Sequence, residues 1–258
     1  MKKILWVLCG LCALIVASAC RGTTLFHQYE YEEDLYLSLD GSATVFVNSS
    51  IPALNALRGT AFDPSPAARV DISAVRAYFS TSDTNVTWAR PSRRNNRRFV
   101  HVRLEVDDVR RLAQAAPFAW STYQFQRDGS LFVYSQTIGA AAGQDVGKVG
   151  WKGDELIAFR LHLPSRIRYH NTLRETRGNI LVWEQPLADR LRGTPLTLDA
   201  RMETQSILYR TLWLFAATVV AVAVAFGLVI WWVLRWGAAG APRPSPGPTF
   251  RSGQARDP

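Results

Sequence analysis

From Thr211 to Leu234 the chain runs for 24 residues without a charged side chain, bracketed by Arg210 and Arg235. At ~1.5 Å per residue such a helix is ~36 Å long, enough to cross a ~30 Å hydrocarbon core with some tilt. Trp213 stands near one end, and Trp231, Trp232 and Trp236 near the other, as aromatic belts do at membrane–water interfaces. A domain of this size has no core long enough to bury that helix, so 206–236 is predicted to span a membrane.

The other end carries a second membrane signal. Lys2 and Lys3 precede an apolar run from Ile4 to Val16, then Ala17-Ser18-Ala19 and Cys20. A positive start, a short apolar stretch and a small-residue site make a secretory signal over 1–19. Cys20 directly after that site resembles a lipobox, in which the thiol is acylated before cleavage. Ala17 stands where Leu is usual, and Ala17-Ser18-Ala19 also satisfies the ordinary A-x-A rule, so both cleavage readings stay open. Export of the N-terminus makes 20–205 an extracytoplasmic domain of a single-pass protein in the bacterial cytoplasmic membrane. One span then returns 237–258 to the cytoplasm as a disordered tail rich in Pro and Gly. That tail holds Arg243, Arg251 and Arg256 against Asp257, and positive residues near a span favour the inside.

The three cysteines are Cys9, Cys12 and Cys20, so the ectodomain has none to pair and its stability must come from burial. The net charge of +9 does not point to nucleic acid. Residues 21–210 hold 24 basic against 20 acidic residues, and the rest of the excess lies in the signal and the tail. No nucleic-acid partner is expected for an exported domain with so mild a surplus.

Hairpin signals dominate the middle. Asp40-Gly41 separates Glu33–Leu39 from Ala43–Ser49, and Asp128-Gly129 separates Trp120–Arg127 from Ser130–Thr137. Asp-Gly between β-favouring runs predicts type I′ turns, with positive φ at both residues. Asn95-Asn96 predicts a third hairpin between Asn85–Ala89 and Arg98–Val106. Further strands are expected at Leu156–Leu163, Ile167–Asn171, Ile180–Glu184 and Leu196–Met202. Short helices are expected at Pro52–Leu57, at Ile72–Phe79 capped by Asp71, at Val109–Ala115 capped by Asp107, and at Pro186–Leu191. The fold class is therefore α+β, an antiparallel hairpin-rich sheet with a few helices and a C-terminal transmembrane helix.

Arg93, Arg94, Arg97 and Arg98 form the densest basic cluster and the candidate lipid-headgroup site. Each Arg near an anionic surface contributes ~1 kcal/mol. The competing reading is a solvated hairpin tip. Gly139–Gly153 holds five glycines and reads as a flexible loop, conceivable as a lid; Val149 and the spacing exclude a phosphate loop. Glu30, Glu32, Glu33 and Asp34 read as a solvated edge, with Glu33 facing opposite to the other three. His27, His101, His162 and His170 lack metal-ligand spacing, and no catalytic motif appears, so no catalytic residue, metal or cofactor is expected.

Three short stretches carry a family resemblance: Leu37-Ser-Leu-Asp-Gly-Ser-Ala-Thr-Val45, Phe159-Arg-Leu-His-Leu-Pro164 with Asn171, and Gly178-Asn-Ile-Leu-Val-Trp183. With the order of signal, Cys20, ectodomain and terminal helix, they resemble LppM-like bacterial envelope lipoproteins. The resemblance implies an extracytoplasmic α+β domain that binds lipid or glycolipid, and no catalytic residues. The resulting expectation is a non-enzymatic, membrane-tethered binding or envelope-organising module with membrane lipid as partner. Two alternatives stand beside it. One is a membrane-bound envelope hydrolase. The other is a passive scaffold for another membrane protein, packed along Ala216, Ala217, Ala221, Ala223, Ala225 and Gly227. Intact-mass analysis of the mature protein should show a diacylglyceryl addition on Cys20; a chain beginning at Cys20 with an unmodified thiol excludes lipidation. Cys20→Ala should leave the protein in the membrane, since one acyl chain is a marginal anchor beside a spanning helix.

Overall fold

The computed structural model describes residues 29–176 and 179–237. The signal segment 1–19, Cys20, His27 and the tail from 238 onward lie outside the described residues. The chain divides into two units, one ending at Ile207 and one beginning at Leu208.

The first unit is α+β, with two sheets. The larger contains β1 (Tyr29–Leu37), β2 (Ala43–Ser50), β3 (Thr84–Arg94), β4 (Arg97–Val106), β7 (Leu156–His162), β9 (Arg174–Thr176) and β10 (Ile180–Pro186), in the order β3-β4-β2-β1-β7-β10-β9. The smaller has β5 (Ser121–Asp128), β6 (Leu131–Ile138), β8 (Ser165–His170) and β11 (Leu196–Ser206), in the order β5-β6-β11-β8. Pairing is antiparallel except between β1 and β7, which run parallel from Tyr31 opposite Ile157 to Tyr36 opposite His162. The expected α+β, hairpin-rich and mostly antiparallel class holds, with the strands divided between two sheets and one parallel pair near the centre of the larger. Residues over a hundred positions apart make that pair, and no local pattern signals it.

Alternation selects the inner faces. In β2, Val45 and Val47 are buried while Thr44, Phe46 and Asn48 are half-buried on the other side. Val102 and Leu104 of β4 and Phe159 and Leu161 of β7 join them in the same core as Tyr134 and Ile138 of the smaller sheet. Both Asp-Gly pairs turn the chain, but not as type I′. Only Asn95 (φ 48°) and Asn96 (φ 58°) are positive at both turn positions; in the other two hairpins Gly41 and Gly129 carry the positive φ and the aspartates do not. At Gly41 the bonds from Ser38 N to Ser42 O and from Gly41 N to Ser38 O close a longer loop than a two-residue turn. Pro91 lies in β3, an outer edge strand, where a missing N–H is tolerated.

Helix α1 (Ile51–Arg58) is buried from Ile51 through Leu57 and packs on β1, β2 and β4. Ser50 caps its start by accepting from Ala53 N at 3.1 Å. Its last carbonyls are met from outside: Gly59 N donates to Asn55 O, Gly143 N to Ala56 O and Ala142 N to Leu57 O, all within 3.0 Å. Such end carbonyls have no partner within the helix, so the segment after β6 completes α1. Helix α2 (Ile72–Phe79) is capped by Asp71, as expected, and buries Val75 and Phe79, one turn apart. A 3₁₀ turn at Val109–Gln114 is capped by Asp108 rather than Asp107. Helix α3 spans Leu187–Leu191.

The second unit contains α4, which covers Ile207–Gly237 in all. Over Ile207–Trp236 it is long and apolar enough to cross a membrane, and none of that stretch is buried. Strand β11 continues to Ser206, one residue beyond the expected domain limit of 205.

Gly139 offers a test of how the segment after β6 is held. Its N–H donates to Trp120 O at 2.7 Å, and a Cβ there would stand 2.6 Å from that same oxygen. Gly139→Ala should therefore destabilise the domain by about 1–3 kcal/mol, measured by denaturant unfolding. A parental midpoint would show that this segment does not need its close approach to Trp120.

Candidate functional site

The basic cluster and the glycine-rich loop, far apart in sequence, border one cleft of about 470 Å³. Three segments line it: Asp63–Pro66, Asn95–Arg97, and the loop residues Val146, Lys148, Val149 and Gly150. The four arginines do not form one patch. Arg97 is buried beneath the cleft, where Nη2 pairs with Glu30 Oε1 at 2.8 Å and Nη1 donates to Gly150 O at 2.9 Å. Arg98 is half-buried and donates from Nε to Pro66 O, which holds the Asp63–Pro66 wall. Arg94 is exposed, donates to Tyr29 O, and stands 4.5 Å from the Phe99 ring centroid. Arg93 is exposed and donates to Asn96 Oδ1 at 2.7 Å. Exposed positive charge at the cleft therefore comes from Lys148 of the lining loop and from Arg93, which is bonded to the lining residue Asn96, with exposed Arg94 on the same hairpin, over a floor whose own charge is neutralised by Glu30. Lys148 escaped the sequence reading because nothing local tells a loop lysine which hairpin it will face.

The loop is more constrained than its glycine content implies. Its start closes α1, Arg97 holds Gly150 O, and Trp151 Nε1 lies 3.4 Å from Glu30 Oε2. Near its end, Lys152 N and Gly153 N both donate to the carboxylate of Glu155. The expectation of a flexible loop thus applies to its middle, while both ends are pinned.

The acidic run is not a solvated edge. β1 lies between β2 and β7, and Glu30 and Glu33 are buried at 0% and 2% exposure. A β-bulge between Tyr29 and Tyr31, which pair with the adjacent residues Leu156 and Ile157, breaks the alternation. Glu30, within that bulge, pairs with Arg97 rather than with Arg160. Glu32 and Asp34 lie on the outer face and share Arg160, at 2.8 and 3.0 Å. Burial raises the pKa of Asp34 while Arg160 opposes the shift.

Glu33 points the other way, into the space between the sheets. Oε2 accepts from Tyr31 OH at 2.8 Å and from Arg58 Nη2 at 3.2 Å, and Arg58 also bonds the Tyr31 hydroxyl. Oε1 lies 3.3 Å from both Tyr123 OH and Gln136 Nε2, and Gln136 Oε1 accepts from Tyr134 OH. Burial holds the phenols of Tyr31, Tyr123 and Tyr134 well above their usual pKa, and the charge of Glu33 adds to each shift.

His101 lies between Asn48 Oδ1 and Ser92 Oγ, and His162 stacks on Tyr36 at 3.7 Å. Among the described residues no group of three or more His, Cys, Asp or Glu is placed to hold a metal ion.

No family model and no curated protein matches the chain. Among solved structures it is similar to the NMR structure of the folded domain of Mycobacterium tuberculosis LppM. That likeness covers 71% of this chain and 95% of the other, at 14% identity and a TM-score of 0.39. LppM is the protein whose family the three sequence stretches resemble.

The phenol network sets a pH dependence. Tyrosines with raised pKa bind their protons more tightly when folded, so their contribution is full below the unfolded value of about 10 and is lost as pH rises above it. The unfolding free energy should fall steeply above about pH 10. Spectrophotometric titration should show late ionisation coincident with loss of structure, and Tyr134→Phe should soften the fall. Gradual ionisation of every tyrosine in the folded state near pH 10 would contradict the network.

Proposed function

We propose that this protein is a membrane-tethered binding module whose extracytoplasmic domain takes anionic amphiphiles at the cleft between the 93–98 hairpin tip and the glycine-rich loop. The observation that carries the reading is the charge arrangement there: exposed Lys148 on the lining loop and exposed Arg93 and Arg94 on the hairpin, beside an Arg97 whose charge is already paired with Glu30. Cations free to exchange water for phosphate oxygens attract an anionic headgroup, while a satisfied floor does not compete for it. The apolar, unburied α4 supports a life at the bilayer, where a tethered domain meets lipid at high local concentration. The orientation in this reading is the one expected from the signal, with the ectodomain outside and the C-terminus in the cytoplasm. The Cys20 acyl chain belongs to the same proposal.

A soluble fragment of residues 21–207, which retains all of β11, should bind phosphatidylglycerol vesicles and not phosphatidylcholine vesicles. Binding should weaken as salt rises, because attraction between exposed charges is screened over ~10 Å at 0.1 M. Arg93→Ser, Arg94→Ser and Lys148→Ser together should weaken it by about two orders of magnitude. Arg97→Ser should instead lower stability by about 3–5 kcal/mol, since it leaves Glu30 buried without its counter-charge. Unchanged binding in the triple variant removes lipid recognition from the cleft and favours the scaffold for another membrane protein.

A further inference from the structure

Arg190 on α3 is fully buried, at 0% exposure. Nη2 donates to Gly139 O at 2.7 Å and Nη1 to Ile138 O at 3.3 Å. No carboxylate among the described residues pairs with it. A guanidinium stays protonated in a protein, and a buried charge is costly unless a counter-charge meets it.

A second guanidinium shares its neighbourhood. The carbon centre of Arg58 lies 3.4 Å from the centroid of the Trp120 ring, and that of Arg190 lies 5.8 Å from the same centroid. The side chain of Arg58 is 2% exposed, and its one ion pair is to Glu33. Among the described residues, one carboxylate thus pairs with Arg58 and none with Arg190. Burial, and then the charge of Arg58, lower the pKa of Arg190. Around this spot Arg58 Nε and Nη1, Arg190 Nε and Trp120 Nε1 are buried donors without an acceptor. Buried donors are ordinarily bonded, and here four of them gather beside an uncompensated positive charge.

We infer that Arg58, Trp120 and Arg190 form an anion site, which takes a carboxylate or phosphate group of single negative charge. One such group balances the second guanidinium and supplies acceptor oxygens to N–H donors that are planar and fork-shaped, the geometry that oxyanions match. Trp120 is only partly buried, so its indole brings one side of the cluster to the surface while the donors themselves are covered. The site is separate from the 93–98 cleft: its residues come from α1, α3 and the turn before β5, and it binds by buried charge rather than by an exposed rim. The same chemistry is offered by a free anion and by a lipid headgroup.

The test uses the full-length protein in neutral detergent, with thermal unfolding followed by circular dichroism against rising inorganic phosphate or acetate. A ligand that binds only the folded state raises the midpoint steadily with the logarithm of its concentration, here by roughly 3–5 °C per tenfold. Arg190→Gln should lose that slope, and Arg166→Gln, which removes an exposed cation of β8, should keep it. If Arg190→Gln does not fold, Arg190→Lys, which keeps the charge but not the fork, should show a reduced slope. Phosphorus NMR should then show the phosphate line broadened by the parent protein. The source is separated by reconstitution of a protein carrying Arg93→Ser, Arg94→Ser and Lys148→Ser: midpoints that rise with phosphatidylglycerol in phosphatidylcholine bilayers, but not with free phosphate, assign the group to a headgroup, provided that adding Arg190→Gln abolishes the rise. Equal slopes in parent and Arg190→Gln, or no response to phosphate, acetate or phosphatidylglycerol, overturn the site.

Discussion

Glu33 is the carboxylate on which the joining of the two sheets depends. It is carried by β1 of the larger sheet and met by Tyr123 and Gln136 of the smaller one, with Arg58 of α1 and Tyr31 closing the other side. In a dry interior each of these bonds is stronger than in water, and each group left without a partner is correspondingly costly. The network therefore acts through its completeness: β1, α1, β5 and β6 must all be in register before the charge is satisfied. Hydrophobic burial supplies the bulk of the driving force, but it is indifferent to small slips between sheets. A buried carboxylate with four partners is not indifferent, and it selects one relative placement.

The same strand sets the cleft. At the bulge near its start, Glu30 holds Arg97 and stands close to Trp151. The Gly150 carbonyl, bonded to Arg97, then brings the glycine-rich loop against the hairpin. Further back, that loop donates amides to the end of α1, the helix that presents Arg58 to Glu33. Interior network and surface cleft are thus two ends of one set of contacts running through β1, α1 and the 139–155 segment.

Much of the local architecture was legible in the sequence. Alternation and turn residues located the six strands of the three hairpins to within a few residues, and Asp71 marked the start of α2 because its carboxylate has amides to accept from. The charge-free run before Arg235 gave α4 for the same kind of reason, a local pattern with a local cause. What failed depended on distance. The parallel contact of β1 with β7 makes β1 a central strand, and with it the acidic run changes from a solvated edge to buried ion pairs. Four adjacent arginines looked like one surface, yet Arg97 and Arg98 find partners more than thirty residues away. Arg58 and Arg190 carried no signal at all, since a single arginine in a short helix reads as solvated until its neighbours are known.

Both ends of the larger sheet are poor templates for another strand. At one end β3 carries Pro91, which has no amide to donate, and exposed Arg90, Arg93 and Arg94. At the other, β9 is three residues long. Proline, like charges and brevity are the ordinary means by which an open sheet avoids extension by a second chain. Crowded side by side, copies of this domain would repel along one edge and find nothing to grip along the other. The larger sheet therefore resists edge-to-edge polymerisation even at high surface density.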